Sequence, residues 1–173
     1  AIFTNLTHDH LDYHGTMENY FEAKKKLFDS LKPQGTAIVN IDDPCGQRIT
    51  ADCRARVVTY GVLQQADYQA RDIQLNADCT SFTLSVYGQD YAVETNLVAM
   101  FNIYNLMAVI AALHEGGVEM ETILPSLRTI PQIEGRMERI EEGQPFNIIV
   151  DFAHTPDGLE QIFKFASSIT PKE

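Results

Sequence analysis

Short apolar runs alternate with helical and polar segments in the first third of the chain, and this alternation constrains the fold more than any other feature. Residues 1–6, 36–41 and 56–60 have the composition of buried strands. The apolar spacing between the first two runs predicts a helix over residues 16–31, with Thr16 as its N-cap. Because strands interleaved with helices form parallel sheets, we expect an α/β fold with a mostly parallel sheet and flanking helices.

The hydrophobic period changes in the middle of the chain. Over residues 68–97 apolar and polar residues alternate, with a Gly-Gln-Asp turn at residues 88–90. This pattern predicts a small antiparallel β-sheet. A linker is predicted at residues 133–135, followed by the start of a second α/β domain. The remaining predicted elements are helices over residues 102–115 and 120–128, strands over 136–141 and 146–152, and a helix over 156–168.

The composition of the chain limits its partners. With 24 acidic and 13 basic residues, the net charge of -11 disfavours extended contact with nucleic-acid phosphates. No apolar run is long enough for a membrane span and no signal peptide is evident, so we expect a cytoplasmic protein without a membrane partner. Three cysteines without Cys-x-x-Cys spacing are predicted to be free thiols. Because the chain begins at Ala1 within a predicted strand, we expect a piece of a longer protein.

Lys24 stands out in the first predicted helix, because it falls on the apolar stripe between Met17 and Leu27. Lys25 and Lys26 fall off that stripe and are predicted to be solvated. In one interpretation, the Lys24 ammonium reaches water from the border of the stripe. In the other, the amine is desolvated and its pKa is lowered. A neutral amine can add carbon dioxide to form a carbamate, which is a carboxylate-like ligand suited to Mg²⁺.

A polar loop rich in histidine follows the first predicted strand. It carries His8, Asp9, His10, Asp12 and His14. Loops at the carboxyl ends of strands in open α/β sheets are where ligands bind, so a metal site is one interpretation and hydrogen-bonded structural histidines are the other. The spacing also nearly matches the His-x-His-x-Asp-His ligand run of metallo-β-lactamase-like zinc hydrolases, except that a tyrosine replaces the last histidine.

The same region carries a longer and more specific pattern. Residues 4–24, TNLTHDHLDYHGTMENYFEAK, resemble the central-domain motif of MurE-type Mur ligases. The resemblance implies that His10 is a Mg²⁺ ligand. It also implies that Lys24 is a carbamylated lysine that helps to hold the metal, so that both residues take part in catalysis.

Four later segments resemble motifs of the same family. They are NIDDP at residues 40–44, FNIYN at 101–105, GRME at 135–138 and VDFAHTPD at 150–157. The resemblance implies that Asn102 and Asn105 lie near bound ATP, that Arg136 reaches its phosphates and that Asp151 reaches its ribose hydroxyls, with His154 in the same turn. Without the family, Asn102 is predicted to be an N-cap, Arg136 a surface ion-pair partner and Asp151 a helix cap. The family usually has glycine and then a basic residue where this chain has Ala99 and Met100.

The resemblance also implies the domain organisation and the reaction. Residues 1–131 would be the later part of an ATP-binding central domain with a P-loop-type sheet, and residues 132–173 the first part of a C-terminal ligase domain. The full-length enzyme would be a monomer that uses ATP and Mg²⁺ to add diaminopimelate or lysine to UDP-N-acetylmuramoyl-L-alanyl-D-glutamate in peptidoglycan biosynthesis. No Gly-x-x-x-x-Gly-Lys-Ser/Thr phosphate loop occurs in these residues, so the chain alone is predicted to be inactive. The alternatives are the zinc hydrolase and an inactive binding module.

Overall fold

A computed structural model describes residues 1–170 of the chain. It contains a six-stranded sheet in the order β1-β2-β3-β4-β5-β6 and a two-stranded sheet, β7-β8. The strands are β1 (Ile2–Phe3), β2 (Thr36–Asn40), β3 (Arg56–Gly61), β4 (Tyr68–Leu75), β5 (Thr80–Val86), β6 (Gln89–Thr95), β7 (Glu138–Ile140) and β8 (Ile148–Val150). The helices are α1 (Leu11–His14), α2 (Met17–Asp29), α3 (Gly46–Ile49), α4 (Met100–Glu115), α5 (Met120–Ser126) and α6 (Pro156–Ile169), with a 3₁₀ turn at Leu127–Thr129.

The first three strands are parallel, as the alternation of strands and helices predicts. β2 lies between β1 and β3, and its last four residues are all buried. Successive side chains of a strand point to opposite faces of a sheet. Val39 accordingly packs in the apolar cluster of α2, whereas Ile38 packs in the cluster that contains α4. The parallel part of the sheet is therefore covered by helices on both faces, which confirms the predicted α/β fold.

The antiparallel strands do not form a separate sheet. β4 pairs with β3 in parallel through Tyr60↔Tyr68 and Gly61↔Gln69, and β5 and β6 then continue the same sheet in antiparallel pairs. The hairpin turn lies at Tyr87 and Gly88, one residue earlier than predicted. Both residues have positive φ, 49° and 87°, as a two-residue hairpin turn of type I′ requires.

Two helices, α2 and α4, pack against the sheet. The Thr16 hydroxyl caps α2 by accepting a hydrogen bond from the Asn19 amide at 3.1 Å, which confirms the predicted N-cap. α4 lies against the sheet with Ile103, Met107 and Ile110 almost completely buried. Among residues 1–170, no helix combines the length and the apolar character needed to cross a membrane.

The C-terminal segment adds the β7-β8 hairpin and α6. This segment meets the rest of the chain at a small apolar cluster of buried side chains: Val98, Ala99, Met137 and Phe165. The cluster brings the start of α4 next to the turn between β8 and α6.

Candidate functional site

The carboxyl ends of β1, β2 and β3 lie at one edge of the sheet because these strands are parallel. The histidine loop follows β1, and two adjacent aspartates follow β2. The start of α4 and the first turns of α6 border the same region, since they line cavities together with residues of these loops. Ligands of open α/β sheets bind at this edge, which makes it the candidate site.

A cleft of about 630 Å³ separates the start of α4 from the turn between β8 and α6. We call it the nucleotide cleft, after the role that the sequence predicts for its residues. All five residues predicted to contact the nucleotide line it: Asn102, Asn105, Arg136, Asp151 and His154. Asp9 of the histidine loop also contributes to its wall. The structure thus brings the whole predicted set together from separate segments of the chain.

Asn102 lies within the first turn of α4. The helix begins two residues earlier, at Met100, and Ala99 occupies the N-cap position with φ 75° and ψ 150°. The Asn102 side-chain amide donates to the Val98 carbonyl oxygen at 2.7 Å. The prediction of an N-cap at Asn102 is therefore wrong, because the turn that starts the helix is made by the backbone at Ala99. Asn105 is exposed one turn later, with its Nδ2 3.4 Å from Asn102 Oδ1.

The Asp151 carboxylate accepts hydrogen bonds from two backbone segments at the cleft. Its Oδ2 accepts a hydrogen bond from the Met137 amide and its Oδ1 accepts one from the Ala153 amide, both at 2.8 Å. The cap of α6 is Thr155, whose hydroxyl accepts from the Gly158 amide at 3.2 Å. The alternative prediction of Asp151 as a helix cap is wrong. Its carboxylate instead holds the end of β8 to the segment that precedes β7.

Arg136 and His154 both contact Phe152. The Arg136 guanidinium carbon lies 5.0 Å from the centroid of the Phe152 ring, and the His154 ring centroid lies 5.2 Å from it. His154 Nδ1 is 3.1 Å from the Phe152 carbonyl oxygen. Within the described part of the chain Arg136 forms no ion pair, so the predicted surface ion pair is wrong. Stacking on an aromatic ring orients the guanidinium without neutralising it, which suits it to bind phosphate.

The histidine loop does not form a zinc site. His10 has φ 54°, and its Nε2 lies 3.3 Å from Asp9 Oδ2. No three His, Cys, Asp or Glu side chains among residues 1–170 lie close enough together to hold a metal ion. Catalytic zinc sites need three protein ligands. The zinc-hydrolase alternative built on His8, His10, Asp12 and His14 is therefore wrong.

The Tyr20 ring contacts both residues predicted to bind Mg²⁺. Lys24 Nζ lies 4.8 Å from the centroid of the Tyr20 ring, and His10 meets the same ring edge-on with a centroid separation of 6.2 Å. His14 stacks on Tyr20 with centroids 4.7 Å apart. Sequence reasoning missed this role of Tyr20. Its position one helical turn before Lys24 was the available signal, because residues four apart share a helix face.

Lys25, rather than Lys24, is the buried lysine of α2. Its Nζ lies 2.6 Å from Asp29 Oδ1 and 2.6 Å from Asp52 Oδ2, and the residue is 9% exposed. These hydrogen bonds raise the pKa of Lys25. The prediction that Lys25 is solvated is wrong, and Leu27 of the predicted apolar stripe is exposed. The buried face of α2 consists of Phe21, Lys25 and Phe28.

The three cysteines are free, as predicted, and all three are half-buried. Among family models, the Mur ligase middle domain matches residues 1–113. The chain belongs to the Mur ligase family. The resemblance inferred from the residue motifs is thereby confirmed.

Curated relatives of this Mur ligase chain extend the match. The UDP-N-acetylmuramoyl-L-alanyl-D-glutamate--2,6-diaminopimelate ligase of Geobacillus kaustophilus is 45% identical over 171 residues, which cover 95% of this chain and 35% of that protein. A protein of the same name from Chlamydia pneumoniae is 37% identical over 174 residues, covering 99% of this chain and 36% of the relative. The chain thus spans about a third of the length of the relatives it matches.

A solved structure shares the fold of this chain. MurF ligase from Thermotoga maritima in complex with ADP superposes with a TM-score of 0.86 over 99% of this chain and 40% of that chain. At 17% identity, this likeness shows that the two share a fold.

Proposed function

We propose that this chain is the central part of an ATP-dependent ligase that adds a diamino acid to UDP-N-acetylmuramoyl-L-alanyl-D-glutamate. The observation that carries the proposal is the convergence of Asn102, Asn105, Arg136, Asp151 and His154 on one cleft. The substrate assignment rests on the names of the relatives, which also favour 2,6-diaminopimelate over lysine as the amino acid added.

The proposed reaction has two steps. The D-glutamate carboxylate attacks the γ-phosphorus of ATP, which gives an acyl phosphate and ADP. The amine of the diamino acid then attacks the acyl carbon, loses a proton and displaces inorganic phosphate, which leaves an amide bond. Both steps depend on positioning and on stabilisation of negative charge at the phosphoryl group.

The residues of the cleft are suited to different parts of the nucleotide. The Arg136 guanidinium is a planar donor that can bind phosphate oxygens through two hydrogen bonds. Asp151 already accepts two backbone hydrogen bonds, but a carboxylate has further lone pairs for ribose hydroxyls. The amides of Asn102 and Asn105 can both donate and accept, and the His154 ring lies in the same turn as Asp151.

The assignment of His10 and Lys24 to a Mg²⁺ site rests on the family resemblance. Mg²⁺ typically takes one or two protein carboxylates and fills its other positions with water and substrate phosphates. A carbamate on Lys24 would supply such an oxygen ligand, and His10 contacts the same Tyr20 ring as Lys24. Bound Mg²⁺ would neutralise negative charge on the phosphates. Electron density at the Lys24 amine, or an intact mass that increases by one carbon dioxide in bicarbonate, would test the carbamate.

The domain boundary forms a further part of the proposal. Residues 1–131 belong to the central domain and residues 132–173 to the C-terminal domain, with a hinge at the linker over residues 133–135. Closure at this hinge would bring Arg136 and Asp151 onto a nucleotide held by α4.

The test uses the full-length protein that carries this chain. With ATP, Mg²⁺ and the UDP-linked dipeptide, we expect ADP and the UDP-linked tripeptide to form when 2,6-diaminopimelate is added. Asn105→Ala should raise the KM for ATP. Asn76→Ala is the matched control, because Asn76 is also exposed but does not line the cleft. No ADP release with either diaminopimelate or lysine would refute the proposed function, and nucleotide binding without turnover would indicate a binding module.

A further inference from the structure

Two adjacent aspartates that follow β2 accept hydrogen bonds from different segments of the candidate site. Asp42 and Asp43 follow Asn40 within residues 40–44, which we call the Asp42–Asp43 turn. Sequence comparison singles out this segment, but the proposed reaction gives it no role. Neither aspartate lines the nucleotide cleft itself.

Asp42 accepts four hydrogen bonds. Its Oδ2 accepts from the amides of Val62 and Leu63 at 2.6 and 2.9 Å, and its Oδ1 accepts from the Gln64 amide at 2.9 Å. The fourth donor is the Tyr104 hydroxyl, 2.8 Å from Oδ2. Burial and the hydrogen bond to Asp42 raise the pKa of Tyr104, so its hydroxyl stays protonated and continues to donate.

Tyr104 belongs to the turn of α4 that carries the two asparagines. It directly precedes Asn105 and follows Asn102 by two residues. Asp42 and Tyr104 line a cavity of about 300 Å³ that shares Asn105 and Phe101 with the nucleotide cleft. The hydrogen bond between Asp42 and Tyr104 therefore fixes the start of α4 directly behind the residues predicted to meet the nucleotide.

Asp43 holds the histidine loop in the same way. Its Oδ2 accepts from the Leu6 amide at 2.9 Å, and its Oδ1 accepts from the Cys45 amide at 2.8 Å. Asn40 adds a second link, because its side-chain amide donates to the Thr4 carbonyl oxygen at 2.8 Å. The loop that leads to His10 is thus anchored to the Asp42–Asp43 turn at two points.

We propose that the Asp42–Asp43 turn sets the position of the nucleotide-binding helix relative to the metal-binding loop, with Asp42 and Tyr104 acting as positioning residues for ATP. The proposal rests on the proposed function for the identity of the ligand. Neither residue takes part in the chemistry. Loss of their contact should weaken nucleotide binding and leave the catalysed steps almost unchanged.

Tyr104→Phe tests the proposal, because it removes one hydroxyl and retains the ring. We expect the KM for ATP to rise about tenfold, because the start of α4 would no longer be held in the geometry that positions its asparagines. We expect kcat to remain within about twofold, because groups that act only in binding change KM alone. Asp42→Asn should raise the KM for ATP as well, because an amide cannot accept all four hydrogen bonds.

Tyr87→Phe is the matched control. The Tyr87 hydroxyl also donates to a carboxylate, Glu115 Oε1 at 2.6 Å, but at the opposite end of α4. This variant should keep the wild-type KM for ATP. If Tyr104→Phe also keeps the wild-type KM, or if the two variants raise it equally, the positioning role is refuted.

A calorimetric titration of the full-length proteins with Mg-ADP separates this inference from the proposed function. If the wild type binds Mg-ADP but forms no amide, the ligase proposal fails, and weaker binding by Tyr104→Phe alone still supports the positioning role. If the wild type ligates and the two tyrosine variants bind Mg-ADP with equal affinity, the positioning role fails alone. A wild type that binds no nucleotide would overturn both.

Discussion

Ala99 has a backbone conformation that favours glycine, and this leads to a quantitative prediction. Its φ of 75° and ψ of 150° lie in a region that residues with a side chain rarely adopt. The residue is 1% exposed and packs in the apolar cluster with Met137 and Phe165. We therefore expect Ala99→Gly to relieve strain at the start of α4.

The magnitude follows from three opposing contributions. Loss of one buried methyl group costs about 0.8 kcal/mol. Extra backbone freedom in the unfolded chain costs about 0.5–1 kcal/mol. Relief of the strained backbone stabilises the folded state by about 1–3 kcal/mol. The net change in the free energy of unfolding thus ranges from a loss of about 1 to a gain of about 2 kcal/mol.

Ala111→Gly provides the matched comparison. Ala111 is fully buried in the interior of α4, where its backbone is helical. Its replacement loses a methyl group and helix propensity, about 1.5–2 kcal/mol, with no relief of strain. We expect Ala99→Gly to be more stable than Ala111→Gly by about 1–3 kcal/mol. Urea unfolding followed by circular dichroism measures both. Equal destabilisation by the two substitutions would refute the argument that the backbone at Ala99 is strained.

Three further substitutions test other parts of the structure. Since the folded state raises the pKa of Lys25, its stabilising effect should be complete below about pH 10 and lost as pH rises through the folded pKa. As the pH rises above about 10, the free energy of unfolding should therefore fall less for Lys25→Met than for the wild type. Parallel pH profiles of the two proteins would contradict this. Arg136→Ala should weaken Mg-ATP binding about tenfold or more in titration calorimetry, whereas Arg128→Ala, which removes an ion pair outside the cleft, should not. Gly46→Ala should destabilise the protein by about 3 kcal/mol or more in thermal unfolding, because the added Cβ would overlap the Asn40 carbonyl oxygen. A change under about 1 kcal/mol would contradict this close approach of the backbone.

Much of the fold could be predicted from the sequence because local patterns and tertiary structure agree. The predicted strands over residues 36–41 and 56–60 match β2 and β3 to within one residue. The last four residues of β2 are buried, so both faces of this strand are covered and burial and strand propensity favour the same structure. β1 is shorter than predicted, since only Ile2–Phe3 pairs with β2. The length of β1 depends on how many of its residues pair with β2, and a sequence pattern does not contain this information.

Contacts between distant residues could not be predicted from periodicity. Lys25 donates a hydrogen bond to Asp52, and the two residues are 27 positions apart. The hydrogen bond between Tyr104 and Asp42 joins residues 62 positions apart. Polar contacts of this kind depend on how elements pack, whereas periodicity reports only which face of one element is apolar. The family motifs predicted which residues line the cleft, but they did not predict which hydrogen bonds orient these residues.

The two walls of the nucleotide cleft are each held internally by hydrogen bonds but are joined by few buried side chains. Asp42 binds α4 to the loop after β3, and Asp151 binds β8 to the segment before β7. Between the walls, the buried contacts are those of the small apolar cluster around Ala99 and Phe165. A small apolar interface allows the two walls to rotate relative to each other at a low cost in free energy. The hydrogen bonds within each wall, by contrast, keep the residues of that wall in place. Under the proposed closure at residues 133–135, the cleft would therefore change its width while the residues of each wall keep their positions.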